Sequence, residues 1–563
     1  MQTSRRAPSP TWANLAHIAS LAAGFALVLV VNRHGWFRGD EWDFLVHYDL
    51  SQRPQDIFLP HNEHLSVIPL LVYKVLLALF GMRQYLPFVA VLAAAHVATA
   101  HVLWRLARRA GADPWICTAL VAVFLAVGGG FDNVTSPFQM SFIGSTAFGL
   151  AAVLALDKPR PLSSRTLSLA WGLCLASMFC SGLGVAFTLV AGVFAALRHG
   201  RRAGLLVLSA PFTFYLVWFV WVGRSHVVAL GLISRSQYLQ LPDFVWRGLT
   251  GAMEGISGLV GAGAVLVLAL GYGLFRARPW QQVSGQPATA LAIGSVLFFL
   301  AIGPGRLVFG PQYATQSRYV YEASAILLVP AAVVLTRLAS DRLGLVLVLL
   351  ILGAIGLRNV YQLNVSGHAV ATVLASERAR ILAAARLLSD GSPILAPERT
   401  LIQPEVLDIA GMRKLLGDGL VQVADAPPDR DSATLEARLQ LEVTIRAASG
   451  PAPSTTTSAQ RAVGMARTPG PGTCTTVDSV GDASMAWFGP GPLRFTVTST
   501  RGGKMHLSLA GADDPAIQTK PAEFSLDAGH RTMVTVDAPG AALGLSLPAG
   551  TSILCGATVP ETH

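Results

Sequence analysis

Long apolar runs separated by short basic loops constrain this 563-residue chain more than any other feature. The first run, residues 12–31, follows Arg5 and Arg6. At 1.5 Å per helical residue it is long enough to cross a hydrocarbon core of about 30 Å. Hydrophobic residues make up 52% of the chain and charged residues only 13%, a balance too apolar for a soluble protein of this size. We therefore predict a polytopic α-helical membrane protein.

Eleven spans are predicted from these runs. They cover residues 12–31, 85–104, 115–129, 138–156, 167–180, 185–197, 205–222, 256–275, 288–303, 319–335 and 343–357. The first run has no small-residue cleavage site after it, so we expect a retained span rather than a signal peptide. Residues 65–80 form a shorter apolar run that contains Pro69 and Lys74. We expect this run to lie on the outer membrane surface, because as a helix it would reach only about 24 Å.

The distribution of basic residues orients the predicted spans. Alternate loops hold nearly all the short-loop cations: Arg105, Arg108, Arg109, Lys158, Arg160, Arg165, Arg198, Arg201, Arg202, Arg276, Arg278, Arg337 and Arg342. The positive-inside rule places these loops and the N-terminus in the cytoplasm, which leaves the C-terminus outside. We expect the chain to lie in the plasma (inner) membrane.

The distribution of charge argues against a nucleic-acid partner, and the spacing of the cysteines argues against a zinc–thiolate site. The formal net charge is +10, but the basic residues cluster in loops between apolar runs, where they set topology, so we expect no nucleic-acid partner. The five cysteines show no C-x-x-C spacing, so we expect no zinc–thiolate site. The predicted inside loops are about ten residues long and leave no room for a nucleotide-binding domain. Any chemistry is therefore expected on the outer face.

The C-terminal part differs in composition from the membrane part. We predict three regions: a membrane domain over 1–357, an extracytoplasmic helical region over 358–450, and a β-sandwich over 461–563. Residues 451–460, rich in Ser, Thr and Pro, are typical of a linker. Alternating patterns at 493–498, 505–509 and 532–536 predict strands. Cys474 and Cys555 are candidates for a disulfide that ties the ends of the sandwich.

An acidic stretch after the first span is the leading candidate for chemistry. Asp40, Glu41 and Asp43 provide three carboxylates within four residues. Carboxylates there can act as a general base, bind a metal or accept a hydrogen bond from a sugar hydroxyl. The alternative is that they only end the helix and solvate the loop.

A second polar cluster follows in the same loop. His61, Glu63 and His64 could bind an acceptor or a metal, or form the polar face of an interfacial helix.

Further polar residues lie in the later outer segments. Asp132 could join Asp40 at a site, including a metal site, or serve as a turn residue. Gln139 could contact substrate or hydrogen-bond a neighbouring helix. Arg306, Arg318 and Tyr319 could bind a phosphate, because a guanidinium pairs two oxygens while it stays charged. An interfacial belt of Arg and Tyr explains them equally.

This pattern resembles the GT-C membrane glycosyltransferases, which include protein O-mannosyltransferases and bacterial arabinofuranosyltransferases. The resemblance covers residues 12–357 in architecture and depends on the acidic loop with Asp40 and Glu41, on Asp132, and on Ser317-Arg318-Tyr319. It implies that Asp40, with Glu41, is the catalytic base or a metal contact and that Arg318 lies near the donor phosphate. The β-sandwich resembles the carbohydrate-binding modules of some arabinosyltransferases.

The resemblance and the predicted topology together imply an outer-face transferase. An outward site needs a donor that has already crossed the membrane, and a polyprenyl-phosphate sugar meets that requirement. The expected partners are this donor, a cell-envelope glycan acceptor and membrane lipids, with arabinofuranose as one candidate sugar. A divalent ion (Mg, Mn or Ca) held by Asp40 and Asp132 would be a cofactor. The stereochemical outcome, inverting or retaining, stays open.

Two other function classes fit many of the same features. A transporter or lipid flippase would also have many spans and few polar residues, although here the polar residues concentrate on one face rather than near mid-membrane. A non-catalytic envelope scaffold that displays the β-sandwich is the third hypothesis.

Overall fold

The computed structural model describes residues 10–48, 50–226, 234–392, 394–395, 407–427, 431–448, 453–481, 484–511, 514 and 516–560. These residues are mostly helical up to residue 441 and mostly in strands after it. The chain divides into two compact units, Met1–Thr372 and Val373–His563. The boundary falls inside one helix, Arg342–Ser389.

The first unit consists of helices. They are α1 (Pro10–Val31), α2 (Glu41–Val46), α3 (Val67–Phe80), α4 (Leu86–Arg109), α5 (Pro114–Leu125), α6 (Phe131–Thr135), α7 (Met140–Leu156), α8 (Ser164–Cys180), α9 (Gly184–His199), α10 (Arg201–Trp221), α11 (Arg235–Tyr238), α12 (Leu241–Ser257), α13 (Gly263–Ala277), α14 (Gln286–Arg306), α15 (Ser317–Leu338) and α16 (Arg342–Ser389).

Seven helices within the described residues are long and apolar enough to cross a membrane. They are α1, α4, α7 with the turn before it, α10, α14 with the turn after it, α15 and α16. The other four predicted spans correspond to α5, α8, α9 and α13, which have 12, 17, 16 and 15 residues. A helix of 12 residues is only about 18 Å long. The number of crossings, eleven, therefore stays a prediction.

The segment between α10 and α14 differs from the predicted loop followed by one span. Residues 241–257 form helix α12, whose Phe244, Gly248 and Ala252 are buried at a spacing of four, and it packs against α14 and α15. The predicted span 256–275 is interrupted after Ser257, where Gly258 and Gly261 have positive φ. Glycine adopts this conformation without the steric cost of a Cβ, so the chain turns here before α13 begins.

Helix α15 is the central element of the first unit. It packs against α4, α5, α12, α13 and α14, and most of its residues are buried. Its first turn carries Arg318 and Tyr319, and α6 contacts the same end. At the other end, the backbone N–H of Asp113 donates a hydrogen bond to Thr336. The Asp113 carboxylate caps α5.

The second unit is a β-sandwich with short helices. Its strands are β1 (Val443–Ala447), β2 (Thr457–Ser458), β3 (Arg461–Val463), β4 (Met465–Pro469), β5 (Cys474–Ser479), β6 (Met485–Phe488), β7 (Leu493–Ser499), β8 (Gly503–Gly511), β9 (Ala522–Leu526), β10 (Thr532–Val536), β11 (Ala541–Ser546), β12 (Gly550–Cys555) and β13 (Ala557–Thr558). The two described helices outside α16 are α17 (Ile409–Gly417) and α18 (Ser432–Leu441). The larger sheets have the orders β1-β10-β7-β12-β5-β4 and β3-β6-β11-β8-β9.

The strands predicted at 493–498, 505–509 and 532–536 are confirmed as β7, β8 and β10. The sandwich begins earlier than predicted, because β1 pairs with β10 from Val443 onward. The described part of the predicted linker also belongs to it, since Thr457–Ser458 pairs with Ala557–Thr558. Cys474 and Cys555 are cross-strand partners and form a disulfide.

Candidate functional site

The loop after α1 is held by buried aromatic side chains. Trp36, Phe37 and Trp42 are buried, and Phe37 packs edge-on against Tyr85 and against Phe88 of α4. Beside this cluster lies α2, which is about one and a half turns long and buries one of its faces. The opposite face carries Asp40, Asp43 and His47, because residues three and four apart lie on the same side of a helix.

Glu41 points away from that face. It is fully buried, and its carboxylate accepts hydrogen bonds from the hydroxyl of Tyr73 at 2.5 Å, from that of Tyr85 at 3.1 Å and from the backbone N–H of Arg38 at 2.8 Å. Burial raises the pKa of Glu41 to about 7, although these hydrogen bonds oppose it. The two tyrosine hydrogen bonds tie the loop to α3 and to the start of α4. In this structure Glu41 helps to hold the loop, and its predicted catalytic role stays a prediction.

His61 joins the carboxylates of Asp40 and Asp43. Its ring is buried, Nδ1 hydrogen-bonds to Asp43, and Nε2 lies 3.7 Å from Asp40 Oδ2. Burial lowers the pKa of His61, but the two carboxylates raise it further, to about 9. His61 is therefore an imidazolium at neutral pH, which hydrogen-bonds to Asp43 and forms an ion pair with Asp40.

Both carboxylate oxygens of Asp43 contact histidine rings. Its other oxygen lies 2.5 Å from His47 Nδ1. Burial alone would raise the pKa of Asp43, but the hydrogen bonds from His61 and His47 lower it below its ordinary value. Asp40 is different, because its side chain is 35% exposed and its contact with His61 is the longer one. Asp40 is thus the carboxylate that a substrate can reach.

A tight turn links this cluster to the arginines. The backbones of His61 and His64 exchange two hydrogen bonds of 2.9 Å, and Asn62 has a positive φ, which asparagine tolerates better than most residues. The turn directs Glu63 to Arg306 of α14, whose Nη1 lies 2.8 Å from Glu63 Oε2. Arg306 Nε also donates to the Tyr319 hydroxyl at 2.8 Å.

Arg318 has no such acid partner. Its Nη2 donates to the Tyr313 hydroxyl at 2.7 Å, and its guanidinium lies 5.7 Å from the ring centres of both Tyr313 and Tyr319. Within the described residues, no carboxylate lies within ion-pair distance of Arg318. Its positive charge is thus available to an anionic ligand.

Asp132 lies at the same end of α15. Its backbone N–H donates to Ser317 Oγ at 3.1 Å. Burial raises the pKa of Asp132, and the positive charges of Arg38 and Arg318 only partly oppose this. No group of three or more His, Cys, Asp or Glu side chains in the described part of the chain is arranged to hold a metal ion. A metal held by Asp40 and Asp132 therefore stays a prediction.

A cavity of about 230 Å³ lies beside the turn. Glu63, His64, Arg306 and Tyr319 line its polar side. Its other walls come mainly from apolar residues of α7, α9, α10 and α14, among them Phe142, Ala186, Phe219 and Ile302. Burial, with help from the charges of Arg306, His61 and Arg318, lowers the pKa of His64 to about 3. His64 is therefore a neutral imidazole that can donate one hydrogen bond and accept another.

Gln139 lies next to Phe138, whose ring packs on His61. The side-chain oxygen of Gln139 is buried and accepts no hydrogen bond within the described residues. Its predicted contact with substrate stays a prediction.

The sequence interpretation counted Asp43 only as one of three carboxylates in the acidic stretch, and it gave no role to His47, Tyr313 or Glu322. The spacing of Asp40, Asp43 and His47 was the available signal for Asp43 and His47, since it places them on one helix face. Tyr313 and Glu322 carry no comparable local pattern. Glu322 is fully buried in α15, where Asn133 Nδ2 donates to it at 3.1 Å.

Comparison of the chain with family models, curated proteins and solved structures finds no match.

Proposed function

We propose that this chain is a polytopic membrane glycosyltransferase that transfers a sugar from a polyprenyl-phosphate donor to a cell-envelope glycan on the outer face of the membrane. The observation that carries the proposal is the turn from His61 to His64. It joins the carboxylate–histidine cluster on α2 to the arginines and tyrosines of α14 and α15. A base and a phosphate-binding group at one place are what such a transfer needs.

In this proposal Asp40 is the general base. The acceptor hydroxyl attacks the anomeric carbon and loses its proton to Asp40, while the bond from that carbon to the donor phosphate breaks. The His61 imidazolium positions Asp40, and Asp43, which also contacts His47, holds His61 in turn. Asp43 is less suited to be the base, because two histidines already occupy its oxygens.

Arg318 stabilises the negative charge that develops on the leaving phosphate. Arg306 is less suited to this role while Glu63 neutralises it. The cavity beside Arg306 has a polar side and apolar walls, which suits a substrate with both a phosphate and a hydrocarbon chain.

The membrane placement in the proposal depends on three observations. Seven helices of the described chain are long and apolar enough to cross a membrane, and the loops on the predicted inner side collect the arginines. The disulfide between Cys474 and Cys555 fits an oxidising compartment outside the cytoplasm.

One observation favours the transporter hypothesis. Glu322 is buried within α15, and ionisable residues inside spans often mark ion or proton pathways. Its neighbours Asn133 and Thr146 hydrogen-bond to it, as in a structural network.

The test is genetic complementation with a chemical measurement. Cells lacking the chain are supplied with the wild-type chain, Asp40→Asn or Asp243→Asn, and their envelope glycans are analysed by mass spectrometry. Asp243 is a matched control, because it is an exposed acid on α12 whose ion-pair partner among the described residues is Arg247 of the same helix. We expect the wild type and Asp243→Asn to restore a glycan that Asp40→Asn does not, at equal protein levels. Restoration by Asp40→Asn would remove the proposed base.

A further inference from the structure

A second cavity lies between α5, α12, α13, α15 and α16 and shares no lining residue with the first. Its volume is about 370 Å³, and its lining is apolar apart from the hydroxyls of Ser257 and Ser324. Leu259, Leu338 and Ile351 line it and are also more than half exposed at the surface. The cavity is therefore a groove that opens sideways among exposed apolar side chains.

Arg358 lies at one end of this groove. A Cβ built on Gly258 would fall 1.5 Å from Arg358 Nη1, so the guanidinium lies against the backbone of Gly258. Both neighbours of Gly258, Ser257 and Leu259, line the groove, as does Ile355, one turn before Arg358. The cation therefore sits at the mouth of an apolar groove.

The charge of Arg358 is not neutralised. Its hydrogen bond goes to the neutral Gln362 Oε1 at 3.5 Å, and in the part of the chain that the structure describes no carboxylate is within ion-pair distance of it. Glu254 belongs to the same helix end, but its Oε1 accepts from the backbone N–H of Gly263 at 3.1 Å.

Asn359, the residue after Arg358, also holds the mouth of the groove in place. Asn359 donates to Ile256 O at 2.9 Å and accepts from Gly128 N at 2.8 Å, which ties α16 to α12 and to the chain after α5. The cation and the groove therefore have a fixed relation within the first unit.

We infer that this groove binds an anionic phospholipid, with an acyl chain along the apolar lining and the phosphate at Arg358. A buried chain gains from the removal of apolar surface, and the guanidinium pairs with phosphate oxygens. The inference rests on the membrane placement in the proposed function, but it does not depend on transfer activity. It assigns to the chain a lipid site separate from the candidate site at Arg318.

The test measures lipid binding to the purified full chain by native mass spectrometry. Phosphatidylglycerol and phosphatidylcholine with the same acyl chains are added separately. We expect the wild type to prefer phosphatidylglycerol, and Arg358→Gln to reduce its binding about fivefold, toward that of phosphatidylcholine. Arg276→Gln removes an exposed arginine from the other end of α13 and should leave the preference unchanged.

A second pair of variants tests the groove itself. Leu270 lines it, whereas Leu268 is 64% exposed on the same helix and does not line it. Leu270→Trp should lower the binding of both lipids, and Leu268→Trp should not. If Leu270→Trp fails to fold, the lipid binding of Arg358→Gln still tests the inference.

Three results would overturn the inference: equal binding of the two lipids by the wild type, no effect of Arg358→Gln, or displacement of phosphatidylglycerol by a polyprenyl phosphate. The last would assign the groove to the donor. Arg318→Gln, measured in parallel, should leave phosphatidylglycerol binding intact. A failure of the proposed transfer is thereby kept distinct from a failure of this site.

Discussion

His61 and His64 lie at the two ends of one tight turn and carry different charges. His61 faces two carboxylates, which raise its pKa to about 9, whereas burial and the positive charges of Arg306, His61 and Arg318 lower the pKa of His64 to about 3. Two identical side chains three residues apart are thus an imidazolium and a neutral imidazole at pH 7. Their neighbours decide the difference.

The charge of His61 predicts a pH dependence of stability. Its pKa is raised from 6.5 to about 9, so its contribution to folding is full below pH 6.5 and is lost as the pH rises toward 9. We expect the melting temperature of the wild type to fall more between pH 6.5 and 9 than that of His61→Gln. His34→Gln, at an exposed histidine, should follow the wild type. Parallel curves for all three would contradict the ion pairs of His61.

Substitution of Arg318 and substitution of Glu63, the partner of Arg306, should have opposite effects on phosphate binding. Arg318→Gln should weaken the binding of a short polyprenyl phosphate by about 1.5 to 3 kcal/mol, because it removes a charge-assisted contact. Glu63→Gln should strengthen it, since Arg306 then loses the carboxylate that neutralises it. Calorimetry on the purified variants measures both. Weaker binding by Glu63→Gln would mean that the Glu63–Arg306 pair serves mainly to hold the turn.

Within a single helix, the number of residues per turn decides which way each side chain faces and therefore which residues it can contact. In α2 it separates Glu41, turned toward the tyrosines, from Asp40 and Asp43 on the open face. In α15 it places Arg318 at the N-terminal end and Glu322 one turn further along, among buried residues. Neighbours in sequence thus have different chemistry.

The contacts of Glu322 indicate that it carries a proton. Glu322 Oε2 meets the Thr146 hydroxyl, which also lies 3.0 Å from the carbonyl oxygen of Phe142. One hydroxyl hydrogen cannot serve both acceptors. A protonated Glu322 that donates to Thr146, while Thr146 donates to Phe142, satisfies all the groups.

This arrangement predicts that Glu322→Gln is tolerated and Glu322→Leu is not. The glutamine amide can donate to Thr146 and accept from Asn133, as the protonated acid does. Leucine leaves Asn133 without its acceptor and should cost about 1 to 3 kcal/mol. Thermal unfolding in detergent compares the two variants. Equal destabilisation by both would contradict a protonated Glu322 in this hydrogen-bond pattern.

At the scale of the whole molecule, the native cysteines allow a clean test of topology. Cys117, Cys174 and Cys180 are buried, and the other two cysteines form the disulfide. A maleimide that cannot cross membranes should therefore react little with the wild type in intact cells. Any label then reports on an added cysteine.

We expect labelling of Gln55→Cys, in the loop assigned to the outside, and none of Arg202→Cys, in the first turn of α10 at an end assigned to the inside. Both positions are exposed. Position 200 is a poorer choice than 202, because Gly200 has a φ of 103° that a cysteine would strain to adopt. Permeabilised cells should label both variants. Equal labelling before permeabilisation would contradict the proposed orientation.

The sequence alone determined the elements whose signal is local. Apolar runs predicted the helices, and alternation predicted strands such as β7 and β10, because period and length are properties of a few adjacent residues. It also located the acidic stretch next to the end of the first helix. It missed α12, whose buried residues Phe244, Gly248 and Ala252 include two small ones and give little apolar signal.

Only the tertiary structure decided how the polar residues are used. Glu41 and Tyr85 are 44 positions apart, and Glu63 and Arg306 are 243 apart, so no local pattern contains either contact. The same holds for β1, which joins the sheet through β10 about 90 residues later. Protonation, burial and pairing depend on what packing brings within a few ångströms. That is why Asp40 stays open to solvent while Glu41, its neighbour in the chain, is buried.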